Sequence, residues 1–308
     1  KKIGNNVFQG NPKITSVTIP ATITAIGDYA FENCYELREV VFAPGGTGMT
    51  IGASAFEKCI NLTTIDLPAH TTEIGHSAFE GSGLTSLVVP EQIAQLSAEV
   101  LKNTQITTIH IPANVTFIGD SAFLNCTKLT SVTFAEGDKP LTIGTLDNDV
   151  SSTNQRTFGV FYGTKVEALN LPARVVCIGD CAFYNQTSLK SITVGDNSQL
   201  KIIGKYAFAV EKGTSKLTTA SLGGSLETIG ERAFYKSKLT SIVIPKTVKL
   251  VDQYAFSNTN LTKVEFEFGG TADLTIKTYA FANAKLTTVT LPARLVTAYE
   301  RVTASNIN

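Results

Sequence analysis

The chain has 308 residues, 43% hydrophobic and 17% charged, and its 26 basic side chains balance its 26 acidic ones. A formal charge of zero excludes a phosphate-tracking nucleic-acid binder, which needs clustered cations, and the absence of any run of 18 apolar residues excludes a membrane-spanning helix in this segment. Five cysteines without a CxxC pair argue against a disulfide framework.

Read in chain order, the sequence repeats itself. An Ile-Gly pair followed by Ala-Phe occurs at Ile26-Gly27…Ala30-Phe31, Ile51-Gly52…Ala55-Phe56 and Ile74-Gly75…Ala78-Phe79. It returns at Ile118, Ile178, Ile203 and Ile229, with weaker forms from Ile3, Leu96, Ile143, Val251 and Ile276. That makes about twelve units, most spaced 22 to 26 residues, with one gap of 35 between Ile143 and Ile178. Residues 1–308 therefore read as one repeat domain, in which each unit buries its core against its neighbours.

The second half of each unit reads Leu-x-x-Val-x-Ile, often with Pro next, as in Leu84…Val88-Val89-Pro90 and Leu239…Ile242-Val243-Ile244-Pro245. Alternation of this kind predicts a strand with Val/Ile facing inward, and Pro ends its pairing. The first half, Gly-x-x-Ala-Phe-x-x-Cys, is too short for a free helix. It predicts a tight turn plus a single helical or 3₁₀ turn. Phe stands at 8, 31, 56, 79, 123, 161, 183, 208, 234, 256 and 281, and only Leu101 interrupts the series. These rings are expected to stack from coil to coil.

The Leu-x-x-Leu-x-Leu core resembles the leucine-rich repeat. More closely, Ile26 to Val40 and Ile51 to Pro68 resemble the BspA-like type, with its Ile-Gly-x-x-Ala-Phe-x-x-Cys-x-x-Leu-Thr-x-Ile-x-Ile-Pro pattern. The resemblance covers essentially the whole chain. It implies a right-handed leucine-rich-repeat solenoid, with one parallel strand per coil on a concave face and turns on the convex side. It also implies a secreted or cell-surface protein of bacteria or protozoan parasites, engaged in adhesion or protein–protein interaction, with a protein or glycan ligand that includes host extracellular matrix. It carries no catalytic, cofactor-binding or metal-ligating residues. The Asn ladder of other leucine-rich repeats is missing, and several units replace Pro by a longer loop.

Candidate chemistry is sparse. Cys34, Cys59 and Cys126 share a slot held elsewhere by Ser82, Thr104, Thr259 or Ala284, which is a place for a small buried residue rather than a metal ligand. Cys177 and Cys181 flank Ile178-Gly179 and are expected to face different directions. His70, His76 and His110 have no partner that would orient a general base, so exposed, idle histidines are expected. The outward strand positions, from Ser16/Thr18 through Thr108/His110 to Lys263/Glu265 and Thr288/Thr290, form a field of hydroxyls on a solvated face. Extra residues at Ala43–Thr50, Ala135–Thr142, Gly195–Lys201 and Glu267–Thr275 occupy equivalent places, so they line one rim, where repeat proteins often bind. A larger surface loop insertion, 145–160, holds Asp147, Asn148 and Asp149 but lacks the Gly and downstream Glu of an EF-hand. Sequons at Asn61, Asn114, Asn125, Asn185 and Asn260 follow from the Thr-rich composition.

No nucleophile–base pair is visible, so no enzymatic activity is expected. The alternative to a binding module is a structural spacer. Lys1-Lys2-Ile3-Gly4 opens on a repeat without a targeting segment, and Ala293 to Asn308 is weakly repeat-like; a natural chain continuing beyond this segment is expected.

Overall fold

The computed structural model describes residues 1–146, 159–195 and 197–298. They fall into two compact units, Lys1–Lys139 and Pro140–Asn308. Each is a parallel-strand solenoid whose coils follow the predicted register, about twelve turns in all.

In the first unit the strands are β1 (Lys2–Ile3), β2 (Ser16–Ile19), β3 (Ala25–Ile26), β4 (Glu39–Phe42), β5 (Met49–Ile51), β6 (Thr71–Ile74), β7 (Gln95–Leu96), β8 (Thr108–Ile111), β9 (Phe117–Ile118) and β10 (Ser131–Phe134). The predicted Leu-x-x-Val-x-Ile strands pair in parallel, β2 with β4 and β8 with β10. Their side chains alternate, so that Ile109 and Ile111 are buried while Thr108 and His110 face out. The stretches Leu62–Leu67 and Leu84–Val89 keep the alternation without joining a ladder: Leu87 and Val89 are buried and Val88 is 82% exposed.

Each coil also carries a second strand that the sequence does not announce. β1, β3, β5 and β6 pair side by side, as do β7 and β9, and these strands end on the Ile of the Ile-Gly pair or, in β7, on Leu96. They are short, but Ile26, Ile51 and Ile74 are at most 1% exposed. A stacked column of buried isoleucines is what holds this ladder in register.

The second unit repeats both ladders. Its strands are β11 (Leu141–Ile143), β12 (Ala168–Leu171), β13 (Val175–Ile178), β14 (Ser191–Val194), β15 (Ile202–Ile203), β16 (Thr219–Ala220), β17 (Thr228–Ile229), β18 (Ser241–Ile244), β19 (Leu250–Val251), β20 (Lys263–Phe266), β21 (Leu274–Ile276), β22 (Thr288–Val289) and β23 (Leu295–Ala298). One ladder runs β11, β13, β15, β17, β19, β21, β23. The opposite face is built from β12-β14-β16 and β18-β20-β22. The weakly repeat-like stretch after Pro292 thus contributes β23, which pairs with β21.

The expected helical or 3₁₀ turn is not formed: among the described residues the turn half contains turns only. The reason lies in the backbone. Tyr29 and Asn33, Ser54 and Lys58, Ser121 and Asn125, Arg232 and Lys236, and Tyr254 and Asn258 all have φ between 52° and 59°. A left-handed residue every four positions stops a right-handed helix from propagating. The N–H groups of Tyr29, Phe31 and Asn33 instead donate to the carbonyls of Ala53, Ala55 and Glu57 in the next coil, at 2.8, 2.9 and 2.8 Å. Those of Ala30, Glu32 and Cys34 donate back three residues within their own coil, at 3.3, 3.2 and 3.1 Å. Half of the turn's amides therefore tie coils together, and no buried donor is orphaned by the lack of a helix. Gly is required where coils touch most closely: a Cβ on Gly52 would lie 2.7 Å from the carbonyl carbon of Gly27.

The phenylalanines stack as expected. Phe8, Phe31, Phe56 and Phe79 follow one another at 5.1, 5.3 and 5.7 Å between ring centroids. In the second unit Phe161, Phe183, Phe208, Phe234, Phe256 and Phe281 do the same at 4.8 to 5.3 Å. Near-parallel rings at this spacing add about 0.5–1.5 kcal/mol per pair beyond area burial.

Candidate functional site

The most developed surface feature lies on the face built by β18, β20 and β22. These strands pair in register, with Val243 beside Glu265 and Lys263 beside both Ser241 and Thr288. Alternation sends Ile242, Ile244, Val264 and Phe266 into the core, each at most 6% exposed. It leaves Val243, Lys263, Glu265 and Thr288 facing out. The rim insertion after β20 adds Phe268 to the lining of this face. Phe268 is 85% exposed and stands just before Gly269, whose φ of +79° makes a turn. On the other side Thr290, Leu291 and Pro292 complete a cleft of about 720 Å³.

Three exposed apolar side chains (Val243, Phe268 and Leu291) share this cleft with Lys246, Lys263, Glu265 and Glu267. Lys263 and Glu265 form an ion pair across one exposed edge. The backbone N–H of Lys246 donates to Glu267 Oε2 at 3.1 Å. An exposed aromatic ring with charges of both signs around it suits a protein surface, where a buried aromatic anchor is ringed by polar contacts. Both the outward strand positions and the rim insertion Glu267–Thr275 are legible in the sequence. Phe268 as their shared anchor is not, because only the folded loop adds it to the lining of the cleft.

The three clearest rim insertions share a construction. Where β5, β11 and β21 begin, the ladder register slips, and the N–H of Met49, Leu141 and Leu274 donates to the carbonyl of His70, Arg174 and Arg294 at 3.0, 2.9 and 2.9 Å. Each acceptor follows a Pro-Ala pair in the next coil. Two of these acceptors also set their side chains against the loop, His70 beside Gly46 and Arg294 beside Gly270. Within the large insertion, residues 147–158, with Asp147, Asn148 and Asp149, lie outside the described residues.

The cysteine slot is a hydrogen-bonding position. Cys34, Cys59 and Cys126 are fully buried and donate Sγ–H to the carbonyls of Phe8, Phe31 and Leu101, one coil back, at 3.0, 3.1 and 3.0 Å. Thr104 and Thr259 instead donate to the carbonyls of Leu101 and Phe256 in their own coils, at 2.7 and 2.9 Å. Burial pushes the Cys59 thiol up to about 12 and the Cys126 thiol up to about 11. Such thiols are protonated and inert at neutral pH. Cys177 and Cys181 are buried too, with burial raising Cys177 to about 11.

The histidines are scattered. His76 Nδ1 lies 2.7 Å from the Ala98 carbonyl and its Nε2 is 3.8 Å from Glu99. His110 Nδ1 lies 2.9 Å from Thr133 Oγ1 on the outer strand face. His70 is half-buried beneath Gly46. Among the described residues no three His, Cys, Asp or Glu side chains gather as metal ligands would, and no helix is long and apolar enough to cross a membrane.

The BspA type leucine rich repeat region, in six copies, matches residues 1–130, 155–272 and 197–306. No curated protein matches the chain. Among solved structures, the chain is similar to a leucine-rich repeat protein from Bacteroides ovatus, at 25% identity over 92% of this chain and 86% of that one, TM-score 0.48. It is also similar to a leucine rich cell surface protein from Faecalibacterium prausnitzii, at 22% identity over 87% and 83%, TM-score 0.42. A third is the pneumococcal vaccine antigen PcpA, at 17% identity over 96% and 78%, TM-score 0.30. With the family pattern spanning most of its length, the chain belongs to the BspA-type leucine-rich-repeat family.

Proposed function

We propose that this protein is a non-enzymatic binding module displayed outside the cell, and that it holds a protein ligand in the cleft between Phe268 and Leu291. The observation that supports this reading is Phe268 itself. A phenylalanine 85% exposed costs hydration free energy unless a partner covers it, and covering it fully returns about 1.5–3 kcal/mol. Around it lie Lys246 and Lys263 on one hand and Glu265 and Glu267 on the other. Together these supply the polar rim that fixes orientation while the ring supplies affinity. Family membership supports the extracellular address and makes host matrix proteins the first ligands to test.

The test is capture of matrix proteins by the purified chain and by Phe268→Ala and Leu291→Ser. Both positions are exposed, so the variants are expected to melt with the parent. Binding by the parent that falls at least about tenfold in Phe268→Ala, the loss of one well-buried anchor, supports the reading. Binding that is unchanged in both variants refutes this cleft as the site and moves it to another face, and no binding by the parent favours a spacer.

A further inference from the structure

A second cleft lies on the turn side of the second unit, and its chemistry differs from that of the first. Three columns of residues define it. The left-handed position before each Ala-Phe is held by Tyr206, Arg232, Tyr254 and Tyr279. The position after each Phe is held by Tyr184, Ala209, Tyr235, Ser257 and Ala282. The next left-handed position is held by Lys236, Asn258 and Asn283. The middle column thus drops from a tyrosine at 235 to Ser257 and Ala282, and the drop opens a cleft of about 500 Å³. Tyr235 closes one end, Tyr254 and Tyr279 form one wall, and Asn258 and Asn283 form the other.

We propose that this cleft binds a neutral carbohydrate. The aromatic wall is rigid before any ligand arrives. Tyr254 and Tyr279 stack at 5.1 Å with 11° between their planes, and the Arg232 guanidinium lies 4.6 Å from the Tyr254 ring centroid. The opposite wall is a chain of side-chain hydrogen bonds. Asn283 Nδ2 donates to Asn258 Oδ1 at 3.2 Å, and Asn258 Nδ2 donates to Ser257 Oγ at 2.8 Å. Each primary amide carries two N–H donors and a two-lone-pair oxygen, and this chain uses one donor from each. That leaves each Asn a second N–H and an oxygen with lone pairs to spare for a ligand. A ligand that matches must offer hydroxyls along one edge and a C–H surface along the other, which is the chemistry of a pyranose ring.

The same geometry disfavours an anion, because Arg232, the cation that lines the cleft, already donates through Nη1 to Tyr206 Oη and to Glu231. The cleft is within the 300–1,000 Å³ or so that small-ligand sites occupy, enough for a short oligosaccharide segment. It is independent of the cleft at Phe268 and shares no residue with it.

The experiment is saturation-transfer NMR on the whole chain with a panel of neutral disaccharides (lactose, maltose, cellobiose and N,N′-diacetylchitobiose), an anionic disaccharide and a mixed peptide library. Two variants accompany it. Ala282→Tyr fills the floor with the residue that coils carrying Tyr184 and Tyr235 already accept there. Tyr279→Asn removes half of the aromatic wall while keeping a residue suited to φ > 0. Both are expected to melt with the parent, which circular dichroism checks; the Asn283→Ala variant serves if either does not. Transfer to ring C–H protons of a neutral sugar, weakened about tenfold or more in the variants as expected for losing a hydrogen-bonded contact, supports the proposal. No transfer to any neutral sugar, transfer that survives the folded variants, or a preference for the anionic sugar or the peptides overturns it.

Discussion

Arg294 reaches back two coils to the carbonyl of Pro245. Its Nη2 donates there at 3.1 Å, while Nη1 donates to the carbonyl of Val248 and, at 3.4 Å, to that of Ala272. One guanidinium therefore joins three successive coils beneath the rim insertion, passing under Gly270, where an added Cβ would come within 2.8 Å of Arg294 Cδ. Burial lowers its affinity for its proton, though a guanidinium keeps its charge. Replacing Arg294 by Ala leaves three carbonyls in the two preceding coils without their shared donor. A loss of about 2–3 kcal/mol is expected, read as a lower urea midpoint. Arg294→Lys is expected to recover less than half, since a single ammonium cannot span the fork. Equal stability of Arg294→Ala and parent would refute the staple.

The cysteine slot makes a pH prediction. Cys59 and Cys126 have folded pKa values raised to about 12 and about 11, against about 8.5 in an unfolded chain. Below pH 8.5 or so both states keep their protons and these thiols impose no pH dependence. Above it the unfolded chain releases protons that the folded chain retains. Stability therefore falls as pH rises toward the folded values, at up to about 1.4 kcal/mol per pH unit for each such thiol. Urea midpoints between pH 7.5 and 10 measure the slope, and Cys59→Ala is expected to flatten it. The native thiols should also resist alkylation at pH 8 until denaturant is added.

Two serines in the same slot are expected to be improvable. Ser82 and Ser237 are buried, and their hydroxyls find no partner, whereas the thiols and threonines of equivalent coils reach a carbonyl. An unpaired buried hydroxyl costs about 1–3 kcal/mol. Ser237→Ala and Ser82→Cys should therefore raise the melting temperature. A decrease for both would show that the hydroxyls hold a bond that the slot does not reveal.

Asn125 offers a test of the left-handed turn positions. Its φ is +57° and its side chain is exposed, so substitution there reads the backbone rather than packing. Asn125→Gly is expected to be neutral to slightly stabilising, and Asn125→Val to fall about 1–2 kcal/mol below it. Equal stability of the two would mean that the turn has relaxed out of the left-handed region.

Much of this architecture is legible in the sequence, for a physical reason. Ile-Gly and Ala-Phe recur because close coil contact admits only Gly at 27, 52 and 75, and because a stacked ring needs another ring above it. The rim insertions stand out because the spacing stretches there, from 22 or 23 residues to 25. The turn conformation is less legible, since Tyr29, Lys58 and Arg232 hold left-handed angles usually advertised by Gly. The second ladder escapes notice because a two-residue strand such as Ala25–Ile26 cannot display alternation. The tyrosine column is written as Tyr-Ala-Phe at 206, 254 and 279, but it becomes a wall only once the turn register is known.

Because Tyr29, Phe31 and Asn33 send their amides to the following coil rather than around their own, each coil is a mould for the next one. A chain built this way lengthens or shortens by whole coils without redesign, since every new coil meets the surface it was cast on. Length is then set by copy number, while the residues that the casting leaves unconstrained are free to vary. Phe268 on its loop and the tyrosine, small-residue and asparagine columns are such residues, so the outer surface changes without altering the frame beneath it.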